Sequence, residues 1–334
     1  MRYSIFSVQD HYPDRGRSLA TFYGELMDQC QLAEALGYDT FWIAEHHFHQ
    51  YGVVPDPSVM LSALAQRTSR IRLGTAISTL TFHNPLHIAE SYAMVDVLSG
   101  GRLTLGVGSG YLRHEFEGFG VDGATKRERF DETLALVQRL LAGERVSHRG
   151  RVHTLDQVAV NVRPLQQPAP PVYLAILRAE AAYHVGRQGM RMMSVPYASF
   201  DTVEQLPAMI AEYARGRAES GTRLADDDVA LAFHCHVAES DRAAEDAAAE
   251  AFELYVETRL YARRQSYADV IRSGLALFGS VETVTDKLIR LRDMGAHHVM
   301  LLQNFGMLAP ERVARSMRLF AESVMPLYRK RIGA

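Results

Sequence analysis

Three segments of the chain repeat one pattern, in which an amphipathic helical stretch ends on a glycine and an apolar strand follows at once. They are Glu34-Ala35-Leu36-Gly37-Tyr38-Asp39 into residues 40–44, Gly186-Arg187-Gln188-Gly189 into 190–195, and Arg292-Asp293-Met294-Gly295 into 297–303. Glycine stands where a helix must close with positive φ, and the strand after it is apolar on both faces, as in a parallel sheet covered by helices. Few folds accept this pattern repeatedly.

Extended along the whole sequence, the pattern predicts strands near 3–8, 40–44, 71–77, 102–107, 172–176, 190–195, 229–237 and 298–303. Helices are predicted at about 19–35, 58–68, 86–98, 127–142, 179–188, 202–218, 241–263, 281–294 and 310–324. Eight strands alternating with helices over 334 residues read as an α/β protein with a single (β/α)8 TIM barrel spanning 1–334, with a doubly wound sheet as the rival arrangement. Two stretches exceed ordinary loop length. Residues 144–171, rich in proline, read as an excursion on the barrel surface, and residues 264–280 as a lid over the carboxyl face or an ordered insertion.

Composition narrows the partners. The formal charge is −3, from 36 Lys plus Arg against 39 Asp plus Glu, so no broad basic field exists to attract nucleic acid or anionic lipid. Cys30 and Cys235 are the two cysteines, too few for a disulfide framework or zinc ribbon, and a reducing cytoplasm is expected. The N-terminus enters a strand-like run without the features of a secretory signal, and no apolar run approaches the ~20 residues of a membrane span.

Ligands of parallel α/β proteins collect where strands end at the carboxyl face. After Thr40-Phe41-Trp42-Ile43-Ala44 the chain reads Glu45-His46-His47-Phe48-His49. Neighbouring histidines at a strand end point to different sides, so the expected geometry is one imidazole, His46, facing the barrel mouth with His47 supporting it from behind. Metal binding and a structural role are the alternatives, with Glu45 judged to lie on the wrong side of His46 to share an ion with it. His234 and His236 share one face of a predicted strand, read as a polar pocket lining or as core histidines satisfied by hydrogen bonds.

Gly106-Val107-Gly108-Ser109-Gly110 matches a dinucleotide fingerprint poorly. Its third glycine comes one residue early, and no helix opens there. The glycines are better read as letting the backbone pass close beneath a flat ligand. Gly74-Thr75-Ala76-Ile77 also ends a strand in small residues. Arg178, followed by Ala179 and Glu180 at an expected helix start, reads either as a phosphate holder or as a lone solvated arginine.

These pieces together resemble the bacterial luciferase-like flavin-dependent monooxygenases. The matching stretches are Ala44-Glu45-His46-His47-Phe48, Gly74-Thr75-Ala76 with His83-Asn84-Pro85 and Ala89-Glu90, and Asp96-Val97-Leu98-Ser99-Gly100-Gly101-Arg102-Leu103 leading into Gly106-Val107-Gly108. Glu115-Phe116, Phe119-Gly120-Val121-Asp122, residues 127–132 and Glu322-Ser323-Val324-Met325-Pro326 complete them, so the likeness spans nearly the whole chain.

The resemblance implies a (β/α)8 barrel that binds reduced FMN, supplied by a separate flavin reductase, and uses O2 to oxidise a small, largely apolar substrate such as an aldehyde or ketone. It implies His46 as the catalytic histidine, His47 as its support, and a non-proline cis peptide near Ala76 and Ile77 under the flavin. It also suggests a homodimer packed through the second and third helices. The chain departs from the family where Gly108-Ser109 replaces a Cys-Arg pair, and where Ile176-Leu177-Arg178 replaces phosphate-binding Ser or Thr. The reading therefore gives Gly108, Ser109, Arg178, Ala179 and Glu180 to the cofactor, with Arg178 on the phosphate. The alternatives are hydride transfer from a deazaflavin coenzyme, as elsewhere in the same superfamily, a flavin binder without turnover, and a metal-dependent hydrolase using His46, His234 and His236.

Overall fold

The eight anticipated strands form one closed parallel barrel. The computed structural model describes residues 1–259 and 265–333. In chain order the barrel strands are β1 (Arg2–Ser7), β2 (Thr40–Ile43), β3 (Arg72–Thr75), β4 (Leu103–Gly108), β5 (Val172–Ile176), β6 (Arg191–Ser194), β7 (Val229–Ala238) and β8 (His298–Asn304). Each lies parallel to its neighbour, and two further pairings close the ring: Ile5 is opposite Leu301 across β1 and β8, and Ala230 is opposite Met193 across β7 and β6. Closure excludes the doubly wound sheet, whose outer strands would have free edges.

The three signal glycines sit where the pattern places them. Gly37, Gly189 and Gly295 have φ of +79°, +68° and +92°, each turning a helix end back toward the sheet. Strands β2 and β8 are buried along their whole length, as expected of strands packed on both faces. The fit between neighbouring strands is close: a Cβ on Gly74 of β3 would stand 2.3 Å from the Trp42 indole of β2, so only glycine fits there.

Several elements differ from the sequence expectation. The stretch 144–171 carries an antiparallel hairpin, Val146–Arg149 with Thr154–Val158, held by Glu132, whose carboxylate accepts from His153 N at 2.8 Å. In the expected lid 264–280, residue 264 lies outside the described residues, and the rest contains a helix, Tyr267–Arg272, and a strand, Ala276–Ser280, that pairs in parallel with the outer half of β7. The helix expected over 241–263 is described to Glu257, and its final residues 260–263 lie outside the described set. The helix expected over 310–324 is regular over Pro310–Leu319, widens into a π turn over Phe320–Val324, and continues as Met325–Ile332. Among the described residues no helix is long and apolar enough to cross a membrane.

Candidate active site

A cavity of about 1010 Å³ opens at the carboxyl ends of the strands. Phe6 of β1 and Val8 just after it, Ala76 and Ile77 after β3, and Leu174 and Ala175 of β5 give it apolar walls. The Ala76–Ile77 peptide is cis, at the position the resemblance indicates. Gly108 faces Ile77 so closely that a Cβ would meet the Ile77 Cδ1 at 2.3 Å; bare backbone at this point keeps the slot open. The glycine two residues earlier has a different reason, since a Cβ on Gly106 would stand 2.1 Å from the Thr75 carbonyl oxygen, a contact between strands and not with a ligand.

His46 lines this cavity. Its Nδ1 lies 3.1 Å from Oε1 of Glu115, on the helix Arg113–Gly118 that follows β4, and the same carboxylate oxygen accepts the His47 backbone N–H at 3.0 Å. That bond places the ring proton on Nδ1 and leaves Nε2 with a lone pair. Burial lowers the His46 pKa below the ordinary histidine value, and this outweighs the opposing pull of the Glu115 hydrogen bond and charge. At neutral pH the ring is therefore a neutral base. Its face packs edge-on against Tyr51, with centroids 4.4 Å apart.

His47 supports the site through Glu45. Oε1 of buried Glu45 takes hydrogen bonds from His47 Nε2 at 3.2 Å and His83 Nε2 at 2.9 Å, while Oε2 accepts from Ser78 Oγ at 3.3 Å and Thr79 N at 3.2 Å. Burial alone would raise the Glu45 pKa. The two imidazole hydrogen bonds and their charges prevail and bring it down to about 2. The same contact raises His83, against the effect of its burial. Glu45, His47 and His83 offer ligand atoms within 4.8 Å of one another, a spacing that a metal ion could bridge, but hydrogen bonds already join them. As expected from their alternation, Glu45 shares its side with His47 and not with His46.

Three cationic side chains also line the cavity. Arg178, after β5, is joined by Lys126 and Arg127 at the start of the helix Lys126–Leu141 and by His184 on Ala181–Arg187. Ser109 also lines the cavity, but Ala179 and Glu180 do not. The chain turns at those two residues, with Ala181 N–H donating to the Arg178 carbonyl at 3.1 Å, and the helix starts later than the sequence suggests. Lys126, Arg127, His184 and Glu115 receive no role from the sequence; Glu115 and Arg127 fall in stretches that match the family, but the separation of all four from the strand ends hides what they meet.

His234 and His236 do not line the cavity. His234 is enclosed by the rings of Tyr197, Phe252, Tyr255 and Phe305, with centroids between 4.7 and 5.2 Å away, and neither of its nitrogens has a hydrogen-bond partner among the described residues. Burial takes its pKa well below the usual range, and burial also brings His236 to about 4. They are core histidines, but not satisfied ones: both nitrogens of His234 and Nδ1 of His236 lack a hydrogen-bond partner among the described residues. No group among the described residues joins His46, His234 and His236 around one ion.

A closed parallel barrel with a histidine–carboxylate pair at its mouth defines an α/β-barrel catalyst. Residues 1–298 match the family model described as luciferase-like monooxygenase, and the chain belongs to that family. The solved monooxygenase RslO1 of Streptomyces bottropensis superposes with a TM-score of 0.91 at 30% identity, covering 98% of this chain and all of that one. The oxygenase component of flavin-dependent trigonelline monooxygenase from Acinetobacter baylyi is 27% identical over 75% of this chain and 69% of its own length. A match over about half the chain, 49% of it and 51% of the relative at 34% identity, is to the F420-dependent glucose-6-phosphate dehydrogenase of Amycolatopsis mediterranei.

Proposed function

We propose that this protein is the oxygenase of a two-component FMN-dependent monooxygenase, receiving reduced FMN from a separate flavin reductase and oxidising a small, mainly apolar organic molecule with O2, an aldehyde or ketone being the first class to try. The observation that carries the reading is the cavity itself, lined by the small and apolar Ala76, Ile77 and Gly108, by the cationic Arg178, and by His46, which is paired behind with Glu115. Its donor set fits FMN. Arg178, Lys126, Arg127 and His184 would hold the phosphate, and Ala76, Ile77, Gly108 and Ser109 would flank the ring. The flavin-dependent relative, described as an oxygenase component, supports both cofactor and reductase.

Reduced FMN would supply two electrons and the site of O2 activation, with one oxygen atom entering the substrate and the other leaving as water. The protein contributes positioning and one mobile proton. Glu115 fixes the tautomer of His46, so Nε2 accepts a proton in one step and returns it in another. Glu115 simultaneously pins the His47 amide, and Glu45 pins the His47 ring, so the loop bearing His46 is held at both sides. The apolar walls exclude water from the reacting groups.

Two copies are expected to pair through the helices Pro57–Arg67 and Pro85–Leu98, which leave Val59 67% and Met94 51% exposed beside exposed Val97 and Leu98. The two buried, unpaired cysteines suit the expected cytoplasmic location.

To test the cofactor reading, reduced FMN is mixed anaerobically with the protein and air is then admitted. Reoxidation slower than that of free flavin, through a distinct spectrum, supports an oxygenase. Reoxidation at the protein-free rate would count against it and favour a binder without turnover, whereas oxygen-independent turnover with a reduced deazaflavin would replace it with hydride transfer.

A further inference from the structure

Behind the cavity wall beside His46 lies a guanidinium that the chemistry above does not use. Arg259, just past the helix Asp241–Glu257, is 4% exposed, and its Cζ sits 3.7 Å from the ring centroid of Tyr51 and 3.6 Å from that of Tyr255. Both tyrosines line the cavity. Stacking between two rings engages the faces of the guanidinium but leaves its in-plane N–H groups unmet. Nε, Nη1 and Nη2 all lack a hydrogen-bond partner among the described residues. A buried cation with open donors is costly, and the cost is removed by an oxyanion placed in its plane.

Among the described residues no carboxylate supplies that oxyanion. Asp10 is the carboxylate that acts on Arg259 electrostatically, but its Oδ2 is engaged by Tyr12 Oη at 2.9 Å and Gly306 N at 2.8 Å, and it forms no ion pair with the guanidinium. Burial also pushes the Asp10 carboxyl up, against the pull of Arg259. His46, His49 and His234 feel Arg259 as a repulsive positive charge, and Tyr12, Tyr51, Tyr197 and Tyr255 are its phenolic neighbours. Four tyrosines line this end of the cavity, joined in pairs by Tyr51 Oη to Tyr111 Oη at 2.7 Å and Tyr197 Oη to Tyr255 Oη at 3.1 Å.

From this arrangement, and resting on the assignment of the cavity as the substrate site, we infer that Arg259 with Tyr51 and Tyr255 forms an oxyanion subsite: the substrate carries a carboxylate or an ionised phenol or enol, bound beside His46. The aldehyde or ketone chemistry would then occur on a molecule whose body is apolar and whose anchor is anionic. Both anchors present the same chemistry to the guanidinium, in-plane oxygen lone pairs bearing negative charge.

The test titrates the protein, with and without saturating oxidised FMN, with 4-nitrophenol, whose anion is coloured and whose neutral form is not, and with benzoate against neutral benzyl alcohol. A phenolate site binds nitrophenol as its anion and lowers the apparent pKa of the bound phenol by about one or more, roughly tenfold in proton affinity. A carboxylate site binds benzoate at least about tenfold tighter than benzyl alcohol without ionising the phenol. Arg259→Lys, which keeps the charge, should retain much of the preference, and Arg259→Met should abolish it while FMN binding persists. Wild-type protein that shows no preference for either anion, or that binds neither probe, overturns the proposal whether or not the variants fold. So does an anion preference that Arg259→Met leaves intact. Loss of FMN binding in wild-type protein would instead count against the cofactor reading, which the flavin-free titrations do not require.

Discussion

Replacing Glu45 by glutamine removes a buried charge while keeping its shape, and the consequence can be worked from the contacts. Both carboxylate oxygens accept hydrogen bonds, Oε1 from His47 and His83 and Oε2 from Ser78 and Thr79. Glutamine has one acceptor oxygen, so in either orientation its NH2 group confronts donors. A carboxyl pKa that falls from 4.5 to about 2 on folding contributes about 3 kcal/mol at 1.36 kcal/mol per tenfold change in proton affinity. Because the folded-state value is depressed, this stabilisation is complete above the unfolded pKa and is lost as pH falls through the folded one. About half remains at pH 3 and little at pH 2. With an unfolding entropy of about 2.1 cal/mol/K per residue, 334 residues give about 0.7 kcal/mol/K, so Glu45→Gln should lower Tm by about 4 °C at pH 7. Calorimetry of both proteins at pH 7 and in mild acid reads the difference directly. A shift below about 1 °C at neutral pH, or one that widens on acidification, would refute the assignment of Glu45 as the ionised centre of this network.

His46→Ala should cost about 10²–10⁴-fold in substrate oxidation while FMN binding, read by flavin fluorescence, is preserved. Because the His46 pKa lies below its usual value, wild-type activity should stay level through neutral pH and fall only on the acid side, where the ring gains a proton; a pH–rate profile that rises with acidification contradicts a neutral base. Arg178→Ala should weaken FMN binding by about tenfold or more, from the loss of a charged hydrogen bond to phosphate, and unchanged affinity would remove that residue from the phosphate site. Met94→Glu places a charge on the exposed face of the third helix and should convert a dimer to monomers in light scattering, without loss of helix content.

The barrel was legible because its signals are local. A glycine closing a helix and an apolar run after it occupy a few consecutive residues, and all eight barrel strands lie within two residues of where that pattern puts them. Alternation also separated His46 from Glu45 and His47 correctly. What stayed hidden depends on closure of the ring. Glu115 is 69 positions from His46, and nothing near Glu115 marks it as that histidine's partner. Arg259 reads as an ordinary arginine after a helix until Tyr51 and Tyr255 are brought to its two faces. The strand Ala276–Ser280 is hidden for a related reason, since it pairs with the outer half of β7 and stands outside the strand–helix alternation of the ring. His234 shows the converse, a residue type that suggests chemistry but sits walled in by rings.

The hydrogen bonds of Glu115 tie the loop after β2 to the helix after β4, and Glu45 ties the same loop to the segment after β3. In the proposed reading, proton handling is thus confined to the first half of the barrel. Arg178, His184, Tyr255 and Arg259, which meet the cofactor phosphate or the substrate in the readings above, come from the second half, while Lys126, Arg127 and Tyr51 reach the same groups from the first. The second half can therefore diverge while the first is kept. Changes after β5 to β7 would alter which molecule is accepted and how tightly its charge is held, while the base that serves it keeps its geometry, so a lineage built on this frame can change diet without relearning its chemistry.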